Sequence, residues 1–383
     1  MKKILFFPLL RMPSGHHQVA DTLTAIIQKR NPDILCKKVD LLSEWNPVIE
    51  SIVTKTYLEW IHHLPETYAW VYKQMAYSSK SGRSYKYYEL LFMNKMKKII
   101  SEEQPDLIIC THGFPSYFLS RLKIKKQCPI PVINVYTDFF INDVWGKEGI
   151  DYHFVPTLAA KQHLVTTNNV LEKKVFVTGI PTHELFEQHV NHTKTNSKFH
   201  VLVSGGSVGL GNMIDMLQNQ PNENNCEFYV LCGKNKKLFQ HLVKLKCDNI
   251  HPLPYISSRE RMNELYSNVD AIITKPGGVT ISEALKKRIP IFIHSALPGQ
   301  EEINLKLLKE ANLVHELKDT HSLEYQLSTV LSDPAMTGQY QYSIQKYLTE
   351  IKTGNPVEIS NLINDLITFH KEDIGSDTSQ VVR

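Results

Sequence analysis

Short runs of β-branched and aromatic residues, apolar almost from end to end, alternate along this chain with longer stretches patterned for helices. A strand that is apolar on both faces must be covered on both, and helices joining parallel strands provide that cover. In the first half the runs fall at 3–7, 106–110, 132–136, 153–156 and 175–178, with helical patterns over 18–29, 85–101 and 116–123. The alternation stops at 189–198, a polar stretch without aliphatic periodicity that reads as a linker. It resumes with runs at 200–203, 227–231, 271–273 and 291–293 and helical patterns over 259–267 and 280–287. A last helical pattern covers 356–370. The class is therefore α/β, with two βα arrays in series. The expected domains are 1–188 and 199–354 joined by the linker 189–198, then a helix over 355–372 and a disordered polar tail over 373–383. Sheets of this kind bind ligands at the C-terminal ends of their strands, which places the expected site in a cleft between the two arrays.

Composition narrows the function. The 383 residues are 42% hydrophobic and 21% charged, ample for two cores, and a net charge of +4 is too small to argue for nucleic acid. Six cysteines without a CxxC pair read as free thiols of a reducing compartment. The apolar run at the N-terminus ends at Pro8 and fits a buried first strand better than a signal peptide. No stretch has the length of a transmembrane helix, so the expectation is a cytoplasmic protein whose membrane contact is peripheral.

The second array opens on Val201-Leu202-Val203-Ser204-Gly205-Gly206-Ser207-Val208-Gly209. Backbone N–H groups at Gly205, Gly206 and Ser207 can approach an anion there without Cβ obstruction. The spacing matches neither a dinucleotide fingerprint nor a P-loop, and the glycines alone fit a phosphate cradle and a tight βα turn equally. The segment Ile272-Ile273-Thr274-Lys275-Pro276-Gly277-Gly278-Val279-Thr280-Ile281-Ser282-Glu283-Ala284 says more. A strand runs into Pro-Gly-Gly, and a helix is expected to start near Thr280. Free N–H groups at Gly278, Val279 and Thr280, at the positive end of the helix dipole, suit a diphosphate. Glu283, expected on the first turn, suits a ribose diol. Thr280 and Glu283 also read as a capping box, which leaves Lys275 and the double glycine without a role. After the next strand, Gln300 and Glu301 of Pro298-Gly299-Gln300-Glu301-Glu302-Ile303-Asn304 are placed to meet sugar hydroxyls, although alone the motif reads better as an acidic helix start.

In the first array, Ser14-Gly15-His16-His17-Gln18 occupies the first βα turn. His16 can take a proton from a hydroxyl near neutral pH there, or serve as a capping residue. Asp138, in Thr137-Asp138-Phe139 at the end of another strand, can orient the histidine, contact an acceptor or cap a helix. The stretch 57–88 sets tyrosines and tryptophans among Lys73, Lys80, Arg83 and Lys86. That mixture suits the headgroup layer of an anionic membrane and, equally, a helix packed into the core. Arg121-Leu122-Lys123-Ile124-Lys125-Lys126 adds a second basic cluster. No nucleic-acid-binding signature accompanies the charge.

Taken in order, GHHQVA at 15–20, TDFFINDVW at 137–145, VTGIP at 177–181, VSGGSVGLGN at 203–212, CGKN at 232–235, ITKPGGVTISEA and PGQEEIN resemble the diacylglycerol glycosyltransferases. These comprise plant monogalactosyldiacylglycerol synthase and the bacterial processive diacylglycerol glucosyltransferases, within glycosyltransferase family 28. The arrangement is similar, more distantly, to the N-acetylglucosamine transferase of peptidoglycan lipid synthesis. The resemblance implies a GT-B fold, two Rossmann-like domains facing an interdomain cleft, with the last helix crossing back to the first domain. It implies an inverting, metal-independent hexosyltransferase with a UDP-sugar donor, no cofactor, and a lipid acceptor such as diacylglycerol at the cytoplasmic face of the membrane. The chain contains no DxD triplet, the metal-binding signature of the other large glycosyltransferase fold. By position, Gly278, Val279 and Thr280 face the diphosphate, Glu283 the ribose, and Gln300 and Glu301 the donor sugar. His16 becomes the base, with Asp138 on the acceptor side. Asn142 stands where bacterial relatives carry a histidine. A transferase with a soluble acceptor, a UDP-sugar-binding regulator and a UDP-sugar epimerase remain as alternatives.

Overall fold

The computed structural model describes residues 2–9, 14–41, 43, 67, 86–187, 198–205, 217, 225–318 and 320–378. They form two compact units: Met1–Pro181 together with Ile351–Arg383, and Thr182–Glu350. The second unit thus begins upstream of the polar stretch, because Phe186 is buried against Tyr266 and Glu187 pairs with the Lys286 ammonium.

The first unit is built on six parallel strands: β1 (Lys3–Phe7), β2 (Leu35–Lys38), β3 (Leu107–Cys110), β4 (Val132–Val135), β5 (Tyr152–Val155) and β6 (Val175–Val177). Their order is β2-β1-β3-β4-β5-β6. The helices described between them are α1 (Gly15–Arg30), α2 (Lys86–Glu103), α3 (Gly113–Ile124) and α4 (Leu158–Thr167). Leu5, Phe7, Ile108 and Cys110 pack on one face against Met96, Phe118 and Leu122 of α2 and α3. The alternate residues Ile4, Phe6, Ile109 and Ile133 are equally buried, so the sheet is covered on both faces, as its wholly apolar strands require.

The second unit repeats the plan with β7 (Phe199–Ser204), β8 (Cys226–Leu231), β9 (Ile250–Leu253), β10 (Ala271–Thr274), β11 (Ile291–Ile293) and β12 (His315–Glu316), again all parallel, in the order β12-β11-β10-β7-β8-β9. Its helices are α5 (Lys236–Leu245), α6 (Arg259–Ser267), α7 (Gly278–Lys286), α8 (Gln300–Glu310), α9 (Leu323–Ser332) and α10 (Pro334–Glu350).

The last helix, α11 (Pro356–Thr378), belongs to the first unit. It buries Ile359, Ile363 and Ile367 at helical spacing and packs on α1, where the Asn31 amide donates to the Ser360 hydroxyl at 3.2 Å. It runs on to Thr378, through Gly375 and part of the stretch expected to be a disordered tail.

Candidate functional site

In the first sheet the chain leaves β1 for β2 on one side and returns to β3 on the other. The loops after β1 and β3 therefore diverge at one point, and that is where open α/β sheets bind ligands. α1 starts in the first of these loops and α3 in the second. His16, in the first turn of α1, sets its Nδ1 2.9 Å from the Thr111 carbonyl oxygen and 2.8 Å from the Thr137 hydroxyl. A carbonyl can only accept, so Nδ1 carries the hydrogen and Nε2 the lone pair. Burial pulls the His16 pKa from 6.5 to about 4; the Thr111 carbonyl works against this and His17 adds to it. The imidazole is thus neutral, with a basic nitrogen of fixed identity.

Its ring stands edge-on to that of His112, centroids 4.6 Å apart. His112 caps α3, its Nδ1 accepting the Phe114 N–H at 3.0 Å. Burial, and His16 beside it, hold His112 well below the usual histidine range. The turn is packed tightly from behind. A Cβ on Gly113 would lie 3.3 Å from the Trp145 backbone nitrogen, and the Trp145 ring packs tilted against Tyr136, centroids 4.5 Å apart. Asp138 follows Thr137 and is half-buried, but the groups holding the His16 ring are Thr111 and Thr137 rather than its carboxylate. Asn142 is buried and its Oδ1 accepts the Val144 N–H at 3.2 Å, which gives this side chain a turn-stabilising role.

The second sheet has the same kind of switch point, between β7 and β10. Ser204 and Thr274 are paired in register, so Gly205 and Lys275 leave the sheet on adjacent strands. The helix that follows starts earlier than the sequence suggests: Gly277 is the N-cap and α7 begins at Gly278. The capping box is thereby excluded, and Glu283 lies in the second turn rather than the first. No side chain caps this end. The first internal bond runs from the Ile281 N–H to the Gly277 carbonyl at 3.1 Å, leaving Gly278, Val279 and Thr280 N–H without intrahelical acceptors. Gly277 has φ −83°, which any residue adopts, and a Cβ there would meet nothing within 4 Å. Neither backbone strain nor protein packing demands a glycine at this position.

Glu283 is buried beside Tyr266 and Arg259: its Oε2 accepts from the Tyr266 hydroxyl at 3.3 Å, and its Oε1 lies 3.9 Å from an Arg259 nitrogen. Burial raises its pKa to about 7, with Arg259 and Tyr266 pulling the other way. Gln300 and Glu301 open α8 after Gly299, whose φ of 99° favours glycine. The Glu301 Oε2 accepts the Leu297 N–H at 2.6 Å and holds the loop closed. Two turns become one structure through Asn304, which is 1% exposed and donates its amide to the Pro276 carbonyl at 3.1 Å.

The structure thus gathers His16 and Thr137-Asp138 at one switch point, and Gly205, Lys275, Gly278, Val279, Thr280, Glu283, Gln300 and Glu301 around the corresponding end of the other sheet. Gly206, Ser207 and nearly all of the aromatic stretch 57–88 lie outside the described residues. Sequence reasoning missed Thr111, His112 and Asn304. The first two stand in Cys110-Thr111-His112-Gly113, a polar group directly after an apolar strand, and that position was the available signal.

Comparison with known proteins agrees with this geometry. Residues 16–182 match the model of the monogalactosyldiacylglycerol (MGDG) synthase family, and residues 200–353 that of the glycosyltransferase family 28 C-terminal domain. The chain is similar to the uncharacterized glycosyltransferase YkoN of Bacillus subtilis strain 168, 38% identical over 355 residues that cover 92% of this chain and 94% of that one. It is likewise similar to the processive diacylglycerol beta-glucosyltransferase of Bacillus cereus strain B4264, 30% identical over 350 residues covering 88% of each. Among solved structures, MurG of Acinetobacter baumannii superposes with a TM-score of 0.59 at 12% identity, covering 95% of this chain and 100% of that one. The fold is GT-B: two Rossmann-like domains, each with a parallel six-stranded sheet.

Proposed function

Because this chain belongs to glycosyltransferase family 28 and is a hexosyltransferase, we propose that it moves a hexose from a UDP-sugar to a hydroxyl of a membrane lipid such as diacylglycerol, with inversion. The observation that carries this reading is the His16 imidazole, whose Nδ1 hydrogen is committed to the Thr111 carbonyl, so that Nε2 faces its task as a base. His16 Nε2 accepts the acceptor's proton as its oxygen attacks the anomeric carbon. One displacement inverts the configuration. The negative charge of a bound donor raises the basicity of the imidazole above its value in the free protein.

The departing UDP is met by the N–H groups of Gly278, Val279 and Thr280 and by Lys275, which among the described residues has no carboxylate partner. Fixed dipoles of this kind stabilise developing charge without a metal. Glu283 receives the ribose diol, and Gln300 and Glu301 the sugar. Asp138 contacts the acceptor.

A lipid acceptor is supported by the name of the Bacillus cereus relative and by the surface of the first unit. Leu90 and Leu91 of α2 are 58% and 49% exposed, and Ile124 at the end of α3 is 41% exposed beside Lys125 and Lys126. Aliphatic side chains flanked by lysines suit an anionic bilayer surface. Among the described residues no helix is long and apolar enough to cross a membrane. The attachment proposed is peripheral, at the cytoplasmic face.

The test is UDP release from UDP-glucose, UDP-galactose and UDP-N-acetylglucosamine, with or without diacylglycerol liposomes and with or without EDTA. We expect lipid-dependent release with one sugar, unchanged by EDTA, and a loss of about 10²–10⁴-fold in His16→Ala with UDP binding retained. Release without lipid would be hydrolysis of the donor by water and would remove the lipid requirement. UDP binding with no release under any condition would overturn the lipid acceptor and turn the search to soluble acceptors or a regulatory role.

A further inference from the structure

His16 and His112 stand ring to ring, yet their hydrogen-bond partners fix them in opposite tautomers. At His16 the Thr111 carbonyl takes a hydrogen from Nδ1, so Nε2 presents a lone pair. At His112 the Phe114 N–H points at Nδ1 over 3.0 Å, so Nδ1 presents a lone pair and, in the neutral ring, the hydrogen is on Nε2. Among the described residues no hydrogen bond takes up either Nε2. The rings are in edge-to-face contact, centroids 4.6 Å apart at 81°, so an acceptor nitrogen and a donor N–H belong to neighbouring rings at one end of the sheet.

We propose that His112 is an acceptor-binding residue that selects molecules carrying a second oxygen vicinal to the attacking hydroxyl. His16 Nε2 takes the hydrogen of the attacking hydroxyl, and His112 Nε2–H donates to the oxygen on the adjoining carbon. In diacylglycerol that oxygen belongs to the ester at the central carbon; in a sugar headgroup it is a neighbouring hydroxyl. An alcohol without the vicinal oxygen leaves the His112 N–H desolvated and unpaired, and sites built to satisfy a polar group reject ligands that do not. Burial keeps both rings neutral, which preserves the complementary pattern. The pattern is maintained from behind: His112 cannot turn without giving up the cap of α3, and Trp145 packed on Gly113 leaves the turn no room to shift.

This inference rests on the lipid-acceptor reading above, and the test separates the two. His112→Asn keeps an oxygen able to cap α3 but has no donor where Nε2 was; His112→Gln keeps a donor at that reach and loses the cap. Each is assayed with the wild type on dioleoylglycerol and on an analogue in which an alkyl chain replaces the acyloxy group at the central carbon. The wild type should use the analogue about 10-fold less well in kcat/KM. His112→Asn should lose about 10-fold on dioleoylglycerol, discriminate no further against the analogue, and retain wild-type UDP affinity and melting temperature. His112→Gln should melt lower yet keep the discrimination. If the wild type transfers to dioleoylglycerol and His112→Asn matches it in rate and selectivity, the role of His112 is overturned while the function stands. If the wild type transfers to neither lipid, both fall together.

Discussion

A carboxyl group whose pKa is raised to about 7 by burial stabilises a protein in one pH range and serves a ligand in another, and Glu283 is in that position. In the folded chain it keeps its proton where an unfolded carboxyl, near 4.5, has lost it. Its contribution to stability is therefore complete below pH 4.5 and disappears as the pH rises through about 7. Ribose recognition has the opposite dependence, because a diol donates best to the ionised group. Uridine, which does not titrate between pH 6 and 8, should bind more tightly as the pH passes upward through about 7. Glu283→Gln should bind it roughly 10-fold less well and without that pH dependence, the loss of a hydrogen bond to a charged group being ~1.5–3 kcal/mol. Calorimetric titration at pH 6 and pH 8 decides this; a flat wild-type profile removes Glu283 from the ribose. At this scale the sequence placed His16 and Lys275 in loops directly after strands, whereas Glu283, expected on the first turn of its helix, lies in the second. The sequence did not announce Thr111, whose contribution is a backbone carbonyl, nor the tautomers, which depend on partners brought in by other strands.

Strands that are apolar throughout were legible, and the strands missed share a place in the fold. β2, β9 and β12 are all sheet edges. β2 reads Leu-Cys-Lys-Lys and is mostly exposed, β9 carries Pro252, and β12 has two residues. Edge strands tolerate lysine and proline because one side of their backbone pairs with nothing, so they lose the pattern by which central strands are recognised. The start of α7 was misplaced for a related reason: glycine at N-cap and first helical turn carries no helix signal of its own. The loop between β4 and β5 shows how elements position the site. Gly146 lies so close to α3 that a Cβ would sit 2.4 Å from the Ser120 Cβ and 2.5 Å from the Ser116 carbonyl oxygen, while its own carbonyl accepts the Asn134 amide at 2.7 Å. Gly146→Ala should push the loop off the helix, costing about 1–3 kcal/mol. We expect a melting temperature lower by several degrees and weakened turnover, with UDP affinity unchanged. An unaltered melting curve would mean that the loop yields without cost.

Across the whole molecule the groups with shifted pKa values are unevenly divided. His16, His112 and His153 all lie in the first unit and are all held neutral, His16 at about 4 and His153 at about 3, in each case chiefly by burial. An unfolded histidine takes up a proton below pH 6.5 and these do not, so the first unit should lose stability steadily from pH 6.5 down to about 4. In the second unit the lowered His315 and the raised Glu283 act in opposite directions over that range. Trp145 is buried in the first unit, and the sequence of the second unit contains no tryptophan. Urea unfolding followed by tryptophan fluorescence therefore isolates it. The midpoint should fall between pH 7 and pH 5; an unchanged midpoint would show that these histidines open to solvent before the unit unfolds. The division between units has a further consequence. Because the first unit is made of Met1–Pro181 and Ile351–Arg383, with α11 lying on α1, its two pieces leave the ribosome separated by the entire second unit. The nascent chain must carry an unfinished first domain, with the α1 surface that α11 will cover still bare, while the later-made domain emerges complete and free to fold first.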